Sequence, residues 1–234
     1  MNNKQVLESI RGGLIVSCQA FPDDPLNNPY IMAKMAVAAH KGGAAGIRAN
    51  TPEHIIEMKK EVSLPIIGIH KAVYPDSPVY ITPTMKEVDR LVAAKAEIIA
   101  MDATRGIRPG GIALERFFDS VRSKYPDQLF MADVSNLAEG IAAQALGFDI
   151  VGTTLAGYTP YTEDRPLPDL DLIARLVDEL HIPIIAEGGI WEPSQAKQSI
   201  ENGAWAAVVG TAITRPLNIT QRFVAALKGD VARA

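Results

Sequence analysis

Apolar positions in this chain gather into eight short runs rich in β-branched residues: Leu14 to Cys18, Ala45 to Arg48, Ile66 to Ile69, Glu97 to Met101, Leu129 to Asp133, Ile150 to Thr154, Pro183 to Glu187 and Ala206 to Gly210. Most are apolar nearly throughout rather than alternating, as expected of parallel strands covered on both faces. Between them lie segments with apolar residues at helical spacing, at Ile31 to His40, Pro52 to Lys60, Met85 to Ala94, Ala113 to Lys124, Leu137 to Leu146, Leu170 to Leu180, Ser194 to Glu201 and Ile219 to Leu227. Regular alternation of strand and helix predicts an α/β chain of βα repeats. Eight units of roughly thirty residues predict a (β/α)8 TIM barrel, one domain over residues 1–234. The rival, a doubly wound open sheet, normally uses fewer strands at this length, and no G-x-G-x-x-G follows the first strand.

Glycines punctuate the repeats. Gly42-Gly43, Gly147 and Gly203 each close a helix just ahead of a strand, where a left-handed turn costs glycine least. They report architecture rather than chemistry. The proline-rich stretches Tyr74 to Thr84 and Tyr158 to Pro168 follow strands three and six, where a barrel carries binding loops and lids.

Composition narrows the function classes. With 234 residues, 47% of them hydrophobic, the chain can bury a substantial core without a metal or a disulfide, and its single cysteine, Cys18, cannot form an internal bridge. The N-terminal MNNKQVLESI lacks the charged and apolar regions of a secretory signal, so the cytoplasm is the expected compartment. No apolar run approaches the roughly 20 residues that span a bilayer. A formal charge of −4 argues against nucleic acid or an anionic membrane as partner.

In a (β/α)8 barrel the chemistry gathers at the C-terminal strand ends. The polar residues there are Gln19, Arg48, Lys71, Asp102, Asp133, Thr153 with Thr154, Glu187, and Gly210 with Thr211. Lys71 follows the apolar run IIGIH, where partial burial would lower its amine toward a range useful for proton transfer; a solvated loop lysine is the plainer reading. Glu187 ends IPIIAEGG and reads as a base, an orienter or the counter-ion of Lys71. Gly188 and Gly189 after strand seven, with Gly210, Thr211 and Arg215 after strand eight, lie where barrels often hold phosphate, although each glycine alone is equally a turn. Of the threonine pair, Thr153 is expected to bind substrate. His70 and Cys18 read as packing residues, and Asp102 equally as a site residue or as the cap of the turn that follows. The four histidines have no metal-ligand spacing.

Over nearly its whole length the chain resembles the N-acylglucosamine-6-phosphate 2-epimerases, also called N-acetylmannosamine-6-phosphate 2-epimerases. The matching stretches are GGLIVSCQA at Gly12 to Ala20, GIRAN at Gly46 to Asn50, YPDSPVYITPT at Tyr74 to Thr84, MADVS at Met131 to Ser135, GTTLAGYTPYT at Gly152 to Thr162, IAEGGIW at Ile185 to Trp191 and VVGTAITRP at Val208 to Pro216. The resemblance implies interconversion of N-acetylmannosamine 6-phosphate and N-acetylglucosamine 6-phosphate in sialic-acid catabolism, without metal or organic cofactor. By position it implies Lys71 as the catalytic lysine and Glu187 as an essential carboxylate. Gln19, Arg48 and Asp133 match sugar-facing positions, and Gly188, Gly210, Thr211 and Arg215 match the phosphate loops. Ala72 and Val73 depart from the basic and acidic residues usual after the lysine, and Gly189 stands where arginine is common.

Inverting C2 requires removal of a proton made acidic by a carbonyl at C1, so the open-chain sugar is the expected reactive form. Neutral Lys71 would take that proton, Glu187 would serve ring opening or proton relay, and Arg48 would stabilise the developing oxyanion. Two rivals remain: a Schiff-base aldolase using the same lysine, and a phosphosugar-binding barrel without catalysis. The alanine-rich segments MAKMAVAAH and IAAQAL pack on the barrel or support a homodimer.

Overall fold

The computed structural model describes residues 1–229. Its eight strands are β1 (Leu14–Cys18), β2 (Gly46–Asn50), β3 (Ile66–Ile69), β4 (Ile98–Asp102), β5 (Leu129–Asp133), β6 (Ile150–Gly152), β7 (Ile184–Glu187) and β8 (Ala206–Val209). All pair in parallel with their sequence neighbours, and β1 pairs with β8 to close the barrel. The outer helices are α2 (Pro29–Lys41), α3 (Pro52–Glu61), α4 (Met85–Ala93), α5 (Leu114–Lys124), α6 (Leu137–Leu146), α7 (Leu170–Glu179) and α8 (Pro193–Glu201). The expected (β/α)8 barrel is what the chain forms.

Two helices fall outside the expected pattern. One, α1 (Asn3–Ile10), precedes the first strand and packs Val6 and Ile10 with Ile15, Leu129 and Ile150 at the barrel floor. The other, α9 (Thr211–Thr214), is too short to show periodicity and sits between β8 and the terminal α10 (Pro216–Lys228). Among the described residues no helix is long and apolar enough to cross a membrane.

Two apolar layers organise the barrel. Ile15, Ile67, Ile69, Ile98, Met131, Ile185 and Val208 fill its interior, while Val16, Ile47, Ile99, Phe130 and Val151 face outward onto helix residues such as Met32, Met58, Leu91, Phe118 and Leu176. Because strand side chains alternate with a period of two, inward residues continue upward as Ser17 and Gln19, Arg48, Lys71, Asp133, Thr154, Glu187 and Gly210. Strand alternation thus selects which polar residues reach the mouth.

Boundaries shift modestly from expectation. β2 runs on to Asn50, and Glu97 lies before β4 because its carboxylate accepts from Lys59 Nζ at 2.5 Å and from the Ile66 amide at 3.0 Å. β6 stops at Gly152, since the chain turns immediately, with the Ala156 amide donating to the Thr153 carbonyl at 3.0 Å. Gly43, Gly147 and Gly203 do adopt positive φ at their helix ends, whereas Gly42 is right-handed at φ −76°.

Candidate active site

A cavity of about 450 Å³ opens at the C-terminal end of the barrel, lined by residues from β1, β2 and β3 and by the loops after β6, β7 and β8. At its base lies Arg48, only 1% exposed. Its Nη2 donates to Asp133 Oδ2 at 2.6 Å, and its Nη1 to Asp133 Oδ1 at 3.1 Å and to Glu187 Oε2 at 2.7 Å. Thr154 Oγ1 completes the cluster, 2.7 Å from Asp133 Oδ1 and 3.1 Å from Glu187 Oε2. Burial opposes charge on Arg48, but the two carboxylates outweigh it and hold the guanidinium more firmly protonated than usual.

Room for this cluster is made by Gly152. A Cβ there would stand 2.1 Å from the Met131 Cε and 3.4 Å from Asp133 Oδ1, so a side chain at position 152 would displace the end of Met131 beneath Arg48. What glycine supplies at this position is the space that the side chains of Met131, Thr154 and Asp133 fill.

Lys71 enters from the end of β3, its amide donating to Asn50 Oδ1 at 2.9 Å. A short antiparallel bridge to Ile81 folds the following loop back over the strand end. Burial, with nearby Arg48 adding to it, lowers the amine to about 8 despite the opposite pull of Glu187 and Asp133. Glu187 shifts the other way: burial, reinforced by Asp133 and resisted by Arg48, raises its carboxyl to about 7. Two groups that normally titrate far apart are brought close to neutrality and to each other, which is how a site exchanges protons near pH 7.

The opposite wall is formed by Gly188, Gly189, Gly210, Thr211 and Arg215. Gly189 has φ +66°, and a Cβ there would lie 2.3 Å from Leu167 Cβ, so the β7 and β6 loops can touch only through glycine. The Arg215 guanidinium lies 3.9 Å from Asp24 and 4.8 Å from the Phe21 ring centroid, and its Nε is buried without a partner.

Of the residues expected from sequence, Lys71, Glu187, Gln19, Arg48, Gly188, Gly189, Gly210, Thr211 and Arg215 all line this cavity. Two do not. Thr153 points outward by strand alternation; its Oγ1 donates to the Glu187 carbonyl at 2.8 Å and accepts from the Glu187 amide at 3.0 Å. Thr154 occupies the inward place instead. Asp133 is fully buried one layer below and meets the cavity through Arg48 and Thr154 rather than directly. His70 faces outward toward Arg90 and Cys18 lies in the core, as their sequence positions suggest, while Asp102 takes the second of its two readings and caps Thr104.

Phe21, Tyr80, Tyr158, Trp191 and Asn218 also stand on the cavity wall, although no strand-end position marks them as site residues. Period-two counting from Ile150 could have selected Thr154. For the loop aromatics no such rule exists. Among the described residues, no group of three or more His, Cys, Asp or Glu side chains is arranged to hold a metal ion.

A family model described as "Putative N-acetylmannosamine-6-phosphate epimerase" matches residues 32–229. The chain belongs to this epimerase family. Curated relatives with the name "Putative N-acetylmannosamine-6-phosphate 2-epimerase" include one from Caldanaerobacter subterraneus, 52% identical over 223 residues that cover 95% of this chain and 94% of the relative. Another, from Enterobacter sp., is 51% identical over 227 residues, covering 96% and 97%. The solved N-acetylmannosamine-6-phosphate 2-epimerase of Clostridium perfringens superposes with a TM-score of 0.90 at 50% identity, covering 94% of this chain and 95% of that one. A thiamine phosphate pyrophosphorylase from Pyrococcus furiosus, at 17% identity and a TM-score of 0.62, shares the fold alone.

Proposed function

We propose that this epimerase interconverts N-acetylmannosamine 6-phosphate and N-acetylglucosamine 6-phosphate in the cytoplasm, as a step of sialic-acid catabolism, using neither metal nor organic cofactor. The observation that carries the reading is the placement of the Lys71 amine, shifted to about 8, in one cavity with the Arg48–Glu187–Asp133 cluster and the glycine-rich wall that ends in Arg215. Relatives about half identical over nearly the whole chain are named for this reaction.

In this reading the phosphate lies against Gly188, Gly189, Gly210, Thr211 and Arg215, where close backbone and a guanidinium suit a dianion. The open-chain aldehyde then extends toward Arg48. Neutral Lys71 removes the C2 proton, the electron pair moves onto the C1 oxygen, and Arg48 stabilises that oxyanion, where its interaction strengthens as charge develops. The protonated Glu187 carboxyl delivers a proton to the other face of C2 to give the epimer, and Lys71 and Glu187 recover their starting states by proton exchange with solvent. Glu187, near 7, gives or accepts the proton of ring opening and closing. Gln19, its Nε2 donating to Ser17 Oγ at 2.8 Å, is presented to the sugar with its carbonyl free to accept. Asp133 fixes Arg48 rather than touching the sugar, and Thr153 fixes the Glu187 backbone.

The homodimer belongs to the same proposal. Helix α10 has no buried residue, and Phe223 and Leu227, four positions apart on one face, are 69% and 89% exposed. A second copy would cover this stripe. Sedimentation of wild type against Phe223→Glu/Leu227→Glu checks it, with a fall to monomer expected.

For the activity, purified protein is incubated with N-acetylglucosamine 6-phosphate and the mannose epimer is followed in wild type and Lys71→Met. Conversion by wild type, at least a thousandfold loss in the variant and no substrate adduct on borohydride treatment are expected. A reduced lysine adduct would instead point to the aldolase, and full activity after dialysis against EDTA is predicted.

A further inference from the structure

We infer that Phe21 is a positioning residue whose ring holds the Lys71 amine at the reacting end of the cavity and the Arg215 guanidinium at its anion-binding end. The inference rests on reading Lys71 as the C2 base. Phe21 belongs to the loop between β1 and α2, lines the cavity and is 40% exposed, so packing alone does not account for its place. Lys71 Nζ lies 4.6 Å from the ring centroid and Arg215 Cζ 4.8 Å from it, both within cation–π range.

Lys71 Nζ has no hydrogen-bonding or charged side-chain anchor among the described residues, and Arg215 shares the ring with a single carboxylate, Asp24. Lys71 Nζ makes no ion pair within 4.0 Å, and the carboxylate nearest Arg215 is Asp24 at 3.9 Å, from the same loop as the ring. That loop is fixed from within: the Asp24 amide donates to the Phe21 carbonyl at 2.9 Å, and Asp24 Oδ1 accepts from the Leu26 amide at 2.9 Å. A lysine with four rotatable bonds is thereby confined by a rigid aromatic face. The other charged groups facing its amine are Arg48 from β2, Asp133 from β5, Glu187 from β7 and Arg215 beyond β8, two cations and two carboxylates whose formal charges cancel. Against that balance, the ring favours the ammonium form.

Incorporating 3,4,5-trifluorophenylalanine at position 21 keeps the ring's shape and weakens its negative face. Lys71 is then titrated by NMR of lysine 13C-labelled at Cε, its signal assigned with Lys71→Met. The amine's midpoint should fall by about 0.7 unit, roughly fivefold in its protonation equilibrium, and Phe21→Tyr should restore it. The acid limb of kcat/KM should move down with it. An unmoved or raised Lys71 midpoint in the folded fluorinated protein overturns the inference. A lowered midpoint with an unmoved acid limb upholds the contact and overturns Lys71 as the base.

Discussion

Arg48 and Asp133 meet in the barrel interior through two parallel hydrogen bonds of 2.6 and 3.1 Å, with neither side chain more than 1% exposed. A buried guanidinium needs such partners, and deleting Asp133 leaves Arg48 with Glu187 at 2.7 Å as its remaining carboxylate. Asp133→Ala should therefore lose about 3 kcal/mol in urea denaturation, while Arg48→Met/Asp133→Leu/Glu187→Gln, which removes the whole charge cluster, loses markedly less. Equal losses would mean the pair is held for packing alone. Both variants should be nearly inactive, since each disorders or deletes the oxyanion partner.

Proton abstraction by a neutral amine fixes the sign of the pH response. With Lys71 lowered to about 8, kcat/KM should rise with pH and level off above that value. Stability follows separate signs. Between about 8 and Lys71's ordinary 10.5 the unfolded chain binds the extra proton, so this group's contribution to stability rises with pH. Between 4.5 and about 7 the folded Glu187 binds it, so that group's contribution falls. Denaturation midpoints across pH in Lys71→Met and Glu187→Gln should lose the upper and the lower trend respectively.

The two threonines after β6 should separate by kinetics. Thr154→Val deletes the hydroxyl that donates to Asp133 at 2.7 Å and lies 3.1 Å from Glu187 Oε2, and we expect kcat to fall about tenfold or more with KM nearly unchanged. Thr153→Ser keeps the bonds to the Glu187 backbone and should behave as wild type. A raised KM with unchanged kcat in Thr153→Val, which lacks the hydroxyl, would instead mark Thr153 as a substrate ligand.

Gly189→Ala tests the wall opposite Lys71. The added Cβ meets Leu167 Cβ at 2.3 Å in a backbone of positive φ, so a cost of about 1–3 kcal/mol is expected. Parting of the two loops should raise KM for the phosphorylated sugar more than it lowers kcat, measured by steady-state epimerisation.

The barrel was legible because each strand's apolar run and each helix's spacing obey one period, and eight repeats leave few other architectures. Lys71, Arg48 and Glu187 were legible for a related reason, since apolar strands leave few polar residues at their ends. What escaped depends on geometry beyond the strand. Phe21 and Tyr80 reach the cavity from loops whose paths no periodicity encodes, and α9 is a single turn. Thr153 was preferred to Thr154 where counting by twos places the second inward, and Asp133 lies fully buried beneath the cavity, reaching it through Arg48 and Thr154. Depth along a strand does not show in its sequence.

Proton NMR of N-acetylmannosamine 6-phosphate with the protein in deuterated water reads the product and the fate of the C2 proton together. Abstraction at C2 by Lys71 should give the C2 epimer carrying deuterium at C2. Neither epimer nor C2 exchange, from folded protein, would contradict it.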